Sequence, residues 1–470
     1  MSISSLIFIF VFLPVCVAAY HVLPGILKNV FLLLASLFFY AWGNPSYLII
    51  LGISMVFNYV TALEMQTLID REEEGGARFA LVTGIVFNVA VLGFFKYYGF
   101  VIDNLNALFH ASLPKQALPL PIGLSFFTFS VLSYLIDVYR QDEKALWNFI
   151  DYGVFVAFFA KITSGPIVRY VDFAPQLAPH RFDREKLAAG TAMFIRGLGK
   201  KILLADSFGI MYGQIACLPD AQMTTACAWL MCAAFTLQIY FDFGGYSDMA
   251  IGIGRMFGFE ITKNFDYPYV SLSATEFWRR WHMTLGTWFR EYIYIPLGGN
   301  REGVLRHIRN IMVVWLLTGI WHGAAWTFIV WGLYYGVLLL IEKYLLKGLL
   351  SVLPKPVCHI YTMLAVMIGW TFFAAPSMGG ALHSLHQMFG GAQGGLINGA
   401  VWYFIRTNLI QLVIGCIMCT PWFFRQYKRF AFGGGRGRVY VSCAIYTALF
   451  IGILAYLIGA TYQSFLYVNF

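Results

Sequence analysis

Long apolar runs separated by short polar connectors fill almost the whole chain. They recur at Ile3–Val22, Val30–Trp42, Tyr47–Leu63, Phe79–Val101, Leu118–Val138, Phe149–Ile162, Thr225–Phe241, Ile308–Trp321, Ala324–Tyr344, Val357–Ala375, Val401–Phe424 and Val439–Gly459. A helix needs about 20 apolar residues to cross a bilayer core, so several of these runs are too short to span alone. The pattern predicts an all-α, polytopic membrane protein of about ten to twelve helices, some short or broken, forming one domain over residues 1–470. Composition agrees: 59% of residues are hydrophobic and 12% charged, against roughly 45–50% and about 25% in soluble domains. No Lys or Arg precedes the first run, so it reads as a retained helix rather than a cleaved leader.

One region breaks the pattern. Between Ile261 and Asn310 lies "SLSATEFWRRWHMTLGTWFREYIYIPLGG". Ser273 and Glu276 have capping-box spacing, and Pro296 with Gly298-Gly299 closes the stretch, which predicts one helix over Ser273–Pro296. On a helical wheel Trp278, Trp281, Leu285, Trp288, Phe289 and Tyr292 share a stripe, with His282 at its edge. Glu276, Arg279, Arg280, Arg290 and Glu291 would be costly facing lipid. The segment therefore belongs at an interface or against a protein-lined cavity, as a re-entrant or interfacial helix.

Upstream, "QIYFDFGGYSDMAIG" places Asp242 and Asp248 at the end of an apolar helix. Buried carboxylates need partners, and Arg279 or Arg280 could supply them; the alternatives are a structural ion-pair network and a functional cluster. Downstream, Ile311–Ile341 holds no Asp, Glu, Lys or Arg, yet contains His322. A lone histidine on an apolar face is commonly a core residue bonded to a backbone carbonyl. Here Gly319, Gly323 and Ala325 suggest space for a ligand, with Trp315 and Trp326 as an aromatic shell. His282 and His322 together suggest acid/base chemistry. No G-x-S-x-G elbow supplies a serine nucleophile, and no residue set has metal-ligand spacing.

The remaining motifs add little. The net charge of +9 reflects Lys and Arg in short loops, as the positive-inside rule expects, and is no nucleic-acid signal. Arg425–Arg438 and Arg301, Arg306 and Arg309 form the clearest clusters, which predicts a cytosolic side there and extracytoplasmic termini. Cys416 and Cys419 lack the context of a redox pair and read as buried thiols. His383 and His386 read as surface-loop residues. "GGGRG" near Gly433 and "GIGRMFG" at Gly252 are weak nucleotide signals. Glu64–Arg78 and Pro175–Lys186 read as solvated connectors.

"FWRRWHMTLGTWFREYIYIPLGGNR" followed by "GIWHGAAWTFIVWG" resembles the membrane-bound O-acyltransferases, in particular the bacterial alginate O-acetyltransferase branch. "LPIGLSFFTFSVLSYLIDVYR", "SGPIVRY", "YFDFGGYSDMAIG" and the tail "FLYVNF" carry the same resemblance, with Gly244 where that branch has serine. The resemblance implies a helical membrane fold around a central tunnel, a catalytic core over 261–345, His322 as the active-site histidine and His282 as the family's second motif position. Trp278, Arg279, Arg280, Trp281, Trp315, Trp326, Asp242 and Asp248 are then candidates for the tunnel wall. It also implies acetyl transfer from a cytosolic thioester such as acetyl-CoA, with no resident cofactor or metal. The acceptor is a hydroxyl on a secreted glycan (alginate, cellulose or another) or a separate extracytoplasmic relay partner. The implied location is the bacterial inner membrane. A neutral His322 would serve as base, while His282 orients the acceptor or donates to the carbonyl oxygen. A lipid or glycan transporter should instead show repeat symmetry between halves, and none is found. A structural subunit of an export complex would not need a histidine in a roomy site.

Overall fold

The computed structural model describes residues 1–116, 119–431 and 436–459, all in helices and connecting loops. Among these residues six helices are long and apolar enough to cross a membrane: Tyr47–Asp70, Glu74–Phe109, Thr225–Met256, Trp326–Val352, Lys355–Ala374 and Gly437–Gly459. Phe8–Val22, Gly25–Ala41 and Leu124–Tyr139 are shorter apolar helices. The run expected as one span over Val401–Phe424 is instead Gly399–Thr407 and Leu409–Met418, bent by 66°, followed by Trp422–Ala431. At the bend Asn408 Nδ2 donates to the Phe404 carbonyl at 3.0 Å and Thr407 Oγ1 to the Tyr403 carbonyl at 2.8 Å. Such side chains compete with the backbone ladder and bend a helix.

Two connectors are shorter than expected. Helices run through most of Glu64–Arg78, leaving Arg71, Glu72 and Glu73 between them. Within Pro175–Lys186, Asp183 caps the Arg184–Gly199 helix by accepting from Glu185 N at 2.8 Å and Lys186 N at 3.1 Å. The C-terminal tail after Gly459 and the glycines of "GGGRG" from Gly433 to Gly435 lie outside the described residues.

The helix Thr225–Met256 does not stop at Phe241 but continues through Gly244-Gly245 and both aspartates, almost wholly buried over its second half. Its partner is the Arg184–Gly199 helix. A Cβ on Gly245 would lie 2.7 Å from the Gly197 carbonyl oxygen, and one on Gly252 2.7 Å from that of Gly190. Paired glycines at matching spacing let two backbones touch, the usual solution where lipid supplies no hydrophobic drive between helices. This close approach accounts for Gly252, the first glycine of "GIGRMFG".

The expected Asp–Arg pairing is not formed. Asp242 Oδ1 lies 2.8 Å and Asp206 Oδ1 2.7 Å from the Lys201 ammonium, all three side chains being at most 5% exposed. Asp248 pairs with Lys200 at 2.6 Å. Arg280 instead binds Glu276 at 2.8 Å and lies 3.6 Å from Asp266, and Arg279 is exposed. Proximity across the glycine-mediated helix contact decides the partner, because Lys200 and Lys201 continue the helix that packs on Gly245.

Candidate active site

The segment expected as one helix over Ser273–Pro296 is three pieces. Ala274–Arg280 and Met283–Phe289 are α-helical and Arg290–Tyr294 is a wider π turn. Between the first two, Trp281 is extended and His282 is left-handed, with φ 45° and ψ 52°. That conformation costs a residue with a Cβ roughly 1–2 kcal/mol, so something must hold it. The loop before the segment does so: Asp266 N donates to the Arg280 carbonyl at 2.9 Å and Met283 N to the Asn264 carbonyl at 2.9 Å. Backbone groups that a continuous helix would pair internally are claimed by this loop.

The N-terminal cap is as the spacing predicts: Ser273 Oγ accepts from Glu276 N at 3.0 Å. A second cap comes from another helix. The buried Glu342 carboxylate accepts from Ala274 N at 2.6 Å and Thr275 N at 2.8 Å, and from the Thr275 hydroxyl at 2.7 Å. Two backbone donors and the positive helix end favour a carboxylate there. Despite the break, Trp281, Leu285, Trp288, Phe289 and Tyr292 are all buried. Trp288 Nε1 donates to the Phe129 carbonyl at 3.0 Å and the Tyr292 hydroxyl to Asp137 at 2.7 Å.

His282 is 2% exposed. Its Nδ1 lies 3.0 Å from Asn264 Oδ1, and its ring packs edge-on against Phe243 at 4.7 Å between centroids. It lines an apolar cavity of about 200 Å³ with Trp278, Trp281, Trp315 and Thr318.

His322, also 2% exposed, is the last residue of the helix Val304–His322. Its ring contacts Trp321 at 4.8 Å, Trp331 at 4.8 Å and Phe373 at 5.2 Å. Thr318, one turn earlier, stands in the cavity wall, whereas His322 itself does not. Both imidazoles flank the indole of Trp321, whose ring centre is 6.0 Å from that of His282. The helix end is capped from the Glu74–Phe109 helix. Lys96 donates to the Trp321 carbonyl and Tyr97 to that of Ile320. Terminal carbonyls attract cations and hydroxyl donors.

Two expectations about this neighbourhood are corrected. Gly319 and Gly323 do not open space for a ligand, because their own faces are filled. A Cβ on Gly319 would sit 2.5 Å from the Phe328 carbonyl oxygen, and one on Gly323 2.2 Å from the Phe328 ring. Their role is to admit the next helix. Trp326 is not in the shell either: the chain is extended at Gly323 and Ala325, so helical i+4 spacing does not apply. Trp326 is 54% exposed and donates to Asn104 Oδ1 at 3.0 Å.

Beyond the cavity lies a larger, basic vestibule of about 680 Å³ lined by Arg279, His307, Lys343 and Lys347. Tyr294 and Ile311 stand in the walls of both spaces. Arg280 and Asp248 face a separate cavity of about 370 Å³, and Asp242 belongs to the Lys201 cluster. The other candidates fall outside this site. His383 and His386 lie on the helix Met378–His386 rather than in a loop. Cys416 is exposed while Cys419 is buried. Asn264, Lys96, Glu342 and Phe373 were missed by sequence reasoning, and their single positions carry no periodic or motif signal.

A multi-pass helical membrane protein with two interior imidazoles about one tryptophan, one of them on the wall of an apolar cavity, is the kind of molecule these elements define. The description "membrane-bound O-acyltransferase family" matches residues 88–380, which contain both histidines. The chain belongs to that family and is an O-acyltransferase. It is 41% identical over 393 residues to the "probable alginate O-acetylase" of Azotobacter vinelandii, covering 83% of this chain and 78% of that relative. It is 36% identical over 419 residues to the peptidoglycan O-acetyltransferase of Helicobacter pylori, covering 82% and 79%. The teichoic acid D-alanyltransferase of Streptococcus thermophilus is 26% identical over 356 residues, 64% of this chain and 83% of that relative.

Proposed function

We propose that this enzyme moves an acetyl group from a cytosolic thioester, such as acetyl-CoA, to a polysaccharide hydroxyl outside the inner membrane, directly or through an extracytoplasmic relay partner. The observation that carries this reading is the pairing of two imidazoles around Trp321 with a cavity that adjoins a basic vestibule. Relatives named for acetylating alginate and peptidoglycan support a glycan acceptor. The vestibule lies beside the start of the Val304–His322 helix, next to Arg301, Arg306 and Arg309, the side expected in the cytosol. Its Arg279, Lys343 and Lys347 suit the anionic part of a nucleotide-bearing thioester.

The reaction needs one proton moved. His322 accepts the hydroxyl proton as the oxygen attacks the thioester carbonyl. The carbon–sulfur bond breaks, and the thiolate leaves and takes up that proton as a thiol. The surrounding tryptophans exclude water that would hydrolyse the donor. A single base of this kind contributes on the order of 10²–10⁴-fold.

The test is purified full-length protein in lipid nanodiscs with acetyl-CoA and a glycan or relay acceptor, following thiol release and acceptor acetylation. Wild type should release thiol with acceptor present. His282→Ala should lose about 10- to 100-fold, the worth of one buried hydrogen bond. Acceptor acetylation unaffected by His322→Ala would overturn the assignment of the base.

A further inference from the structure

His282 is held by more than packing. Asn264 is fully buried in the loop that follows the long helix. Its amide orientation is decided by its neighbours. The Thr284 backbone N–H can only donate, and it points at the Asn264 side-chain atom 3.2 Å away, which must therefore be the oxygen. The Thr284 hydroxyl accepts from Ile167 N at 3.1 Å and turns its own hydrogen to the same oxygen at 2.9 Å. On the other side the amide nitrogen donates to Ser247 Oγ at 3.2 Å.

With Oδ1 established as an acceptor, the His282 Nδ1 that lies 3.0 Å from it must carry a hydrogen. The other tautomer would bring two lone pairs face to face. A neutral imidazole has one donor and one acceptor nitrogen, and the bond at one sets the state of the other. The remaining nitrogen, Nε2, is buried and has no hydrogen-bond partner among the described residues, on a ring that lines the cavity. Burying an unpaired acceptor costs free energy unless a ligand completes it.

We propose that Asn264 is a positioning residue that locks His282 in the tautomer protonated on Nδ1, leaving Nε2 to accept a hydrogen bond from the hydroxyl of the incoming acceptor. The hydroxyl's identity rests on the acyl-transfer reading above; the tautomer does not. His282 is then an acceptor and not the donor to the carbonyl oxygen that the resemblance suggested. A hydroxyl has a single hydrogen, so this bond holds the acceptor on arrival and is given up when the O–H turns to His322, which removes the proton.

The experiment is nitrogen-15 spectroscopy of histidine-labelled, full-length protein in nanodiscs, with His282 assigned by difference against His282→Gln. Expected is a pyrrole-like Nδ1 and a pyridine-like Nε2 in wild type. Asn264→Asp, which accepts from the same donors, should keep Nδ1 protonated. Asn264→Leu should mix the tautomers and lower transfer by about 10- to 100-fold, the usual scale for a lost orienting partner. A wild-type His282 protonated on Nε2, or an Asn264→Leu protein with unchanged tautomer and transfer, overturns the proposal. The predicted tautomer in a protein that transfers no acyl group would leave it standing and overturn the acyl-transfer reading instead. If Asn264→Leu fails to fold, the wild-type and Asn264→Asp spectra still decide.

Discussion

Two buried polar clusters sit along the same long helix and differ in what they leave undone. In the first, Lys201 is matched by Asp206 and Asp242, with all three side chains at most 5% exposed. In the second, Asn264 gathers Ser247, Thr284 and His282, yet one imidazole nitrogen on a cavity wall stays unpaired. The first cluster carries more charge, the second less. Charge density is therefore a poor guide to chemistry in a membrane interior. A satisfied ion-pair network fixes one packing arrangement, whereas an unsatisfied neutral acceptor beside space is poised for a ligand.

Mutations separate the two regions. The largest effect on activity is expected from His322→Ala, which should cut acyl transfer on the order of 10²–10⁴-fold while thermal unfolding in detergent stays near wild type. A variant that loses its fold along with its activity would place His322 with the structural cluster. Lys201→Met should do the reverse. It strands two carboxylates in the interior and should lower stability by about 3–5 kcal/mol, read as a fall in unfolding temperature with transfer per folded molecule preserved. Unfolding at the wild-type temperature would contradict the structural role given to the Lys201 cluster.

Adjacent glycines sharpen the contrast further. Gly245→Ala brings a methyl 2.7 Å from the Gly197 carbonyl and 3.0 Å from Lys201 N, and should cost about 1–3 kcal/mol by overpacking. Gly244→Ala meets nothing closer than 3.8 Å, so it should stay within about 0.5 kcal/mol. Equal unfolding temperatures for the two variants would show that the helix contact is not as tight as drawn. Smallest of all, Trp326→Phe removes one hydrogen bond at an exposed position. Transfer should be unchanged and stability within about 0.5 kcal/mol; a large loss of transfer would restore Trp326 to the site.

Much of this was legible beforehand, for definite reasons. The capping pair Ser273 and Glu276 is a local signal four residues long, and the structure forms it. The aromatic stripe from Trp281 to Tyr292 is buried even though its helix is broken, because burial follows side-chain chemistry more than ladder continuity. The break itself was not legible. It arises from hydrogen bonds offered by Asn264 and Asp266, and nothing in "KNFDYP" announces where those groups will land. For the same reason Trp326 was misplaced: helical spacing from His322 holds only while the helix continues, and it ends at His322.

The sequence alone determined that the chain is an integral membrane protein, where its polar interruption lies and which two histidines are unusual. These properties follow from transfer free energies that add residue by residue along the chain. Only the tertiary structure decided that Asp242 answers to Lys201 rather than to an arginine, that the glycines near His322 seat a helix rather than a ligand, and that Asn264 orients His282. Those outcomes depend on hydrogen bonds and contacts effective over about 3–4 Å, between groups whose separation along the chain says nothing of their separation in space.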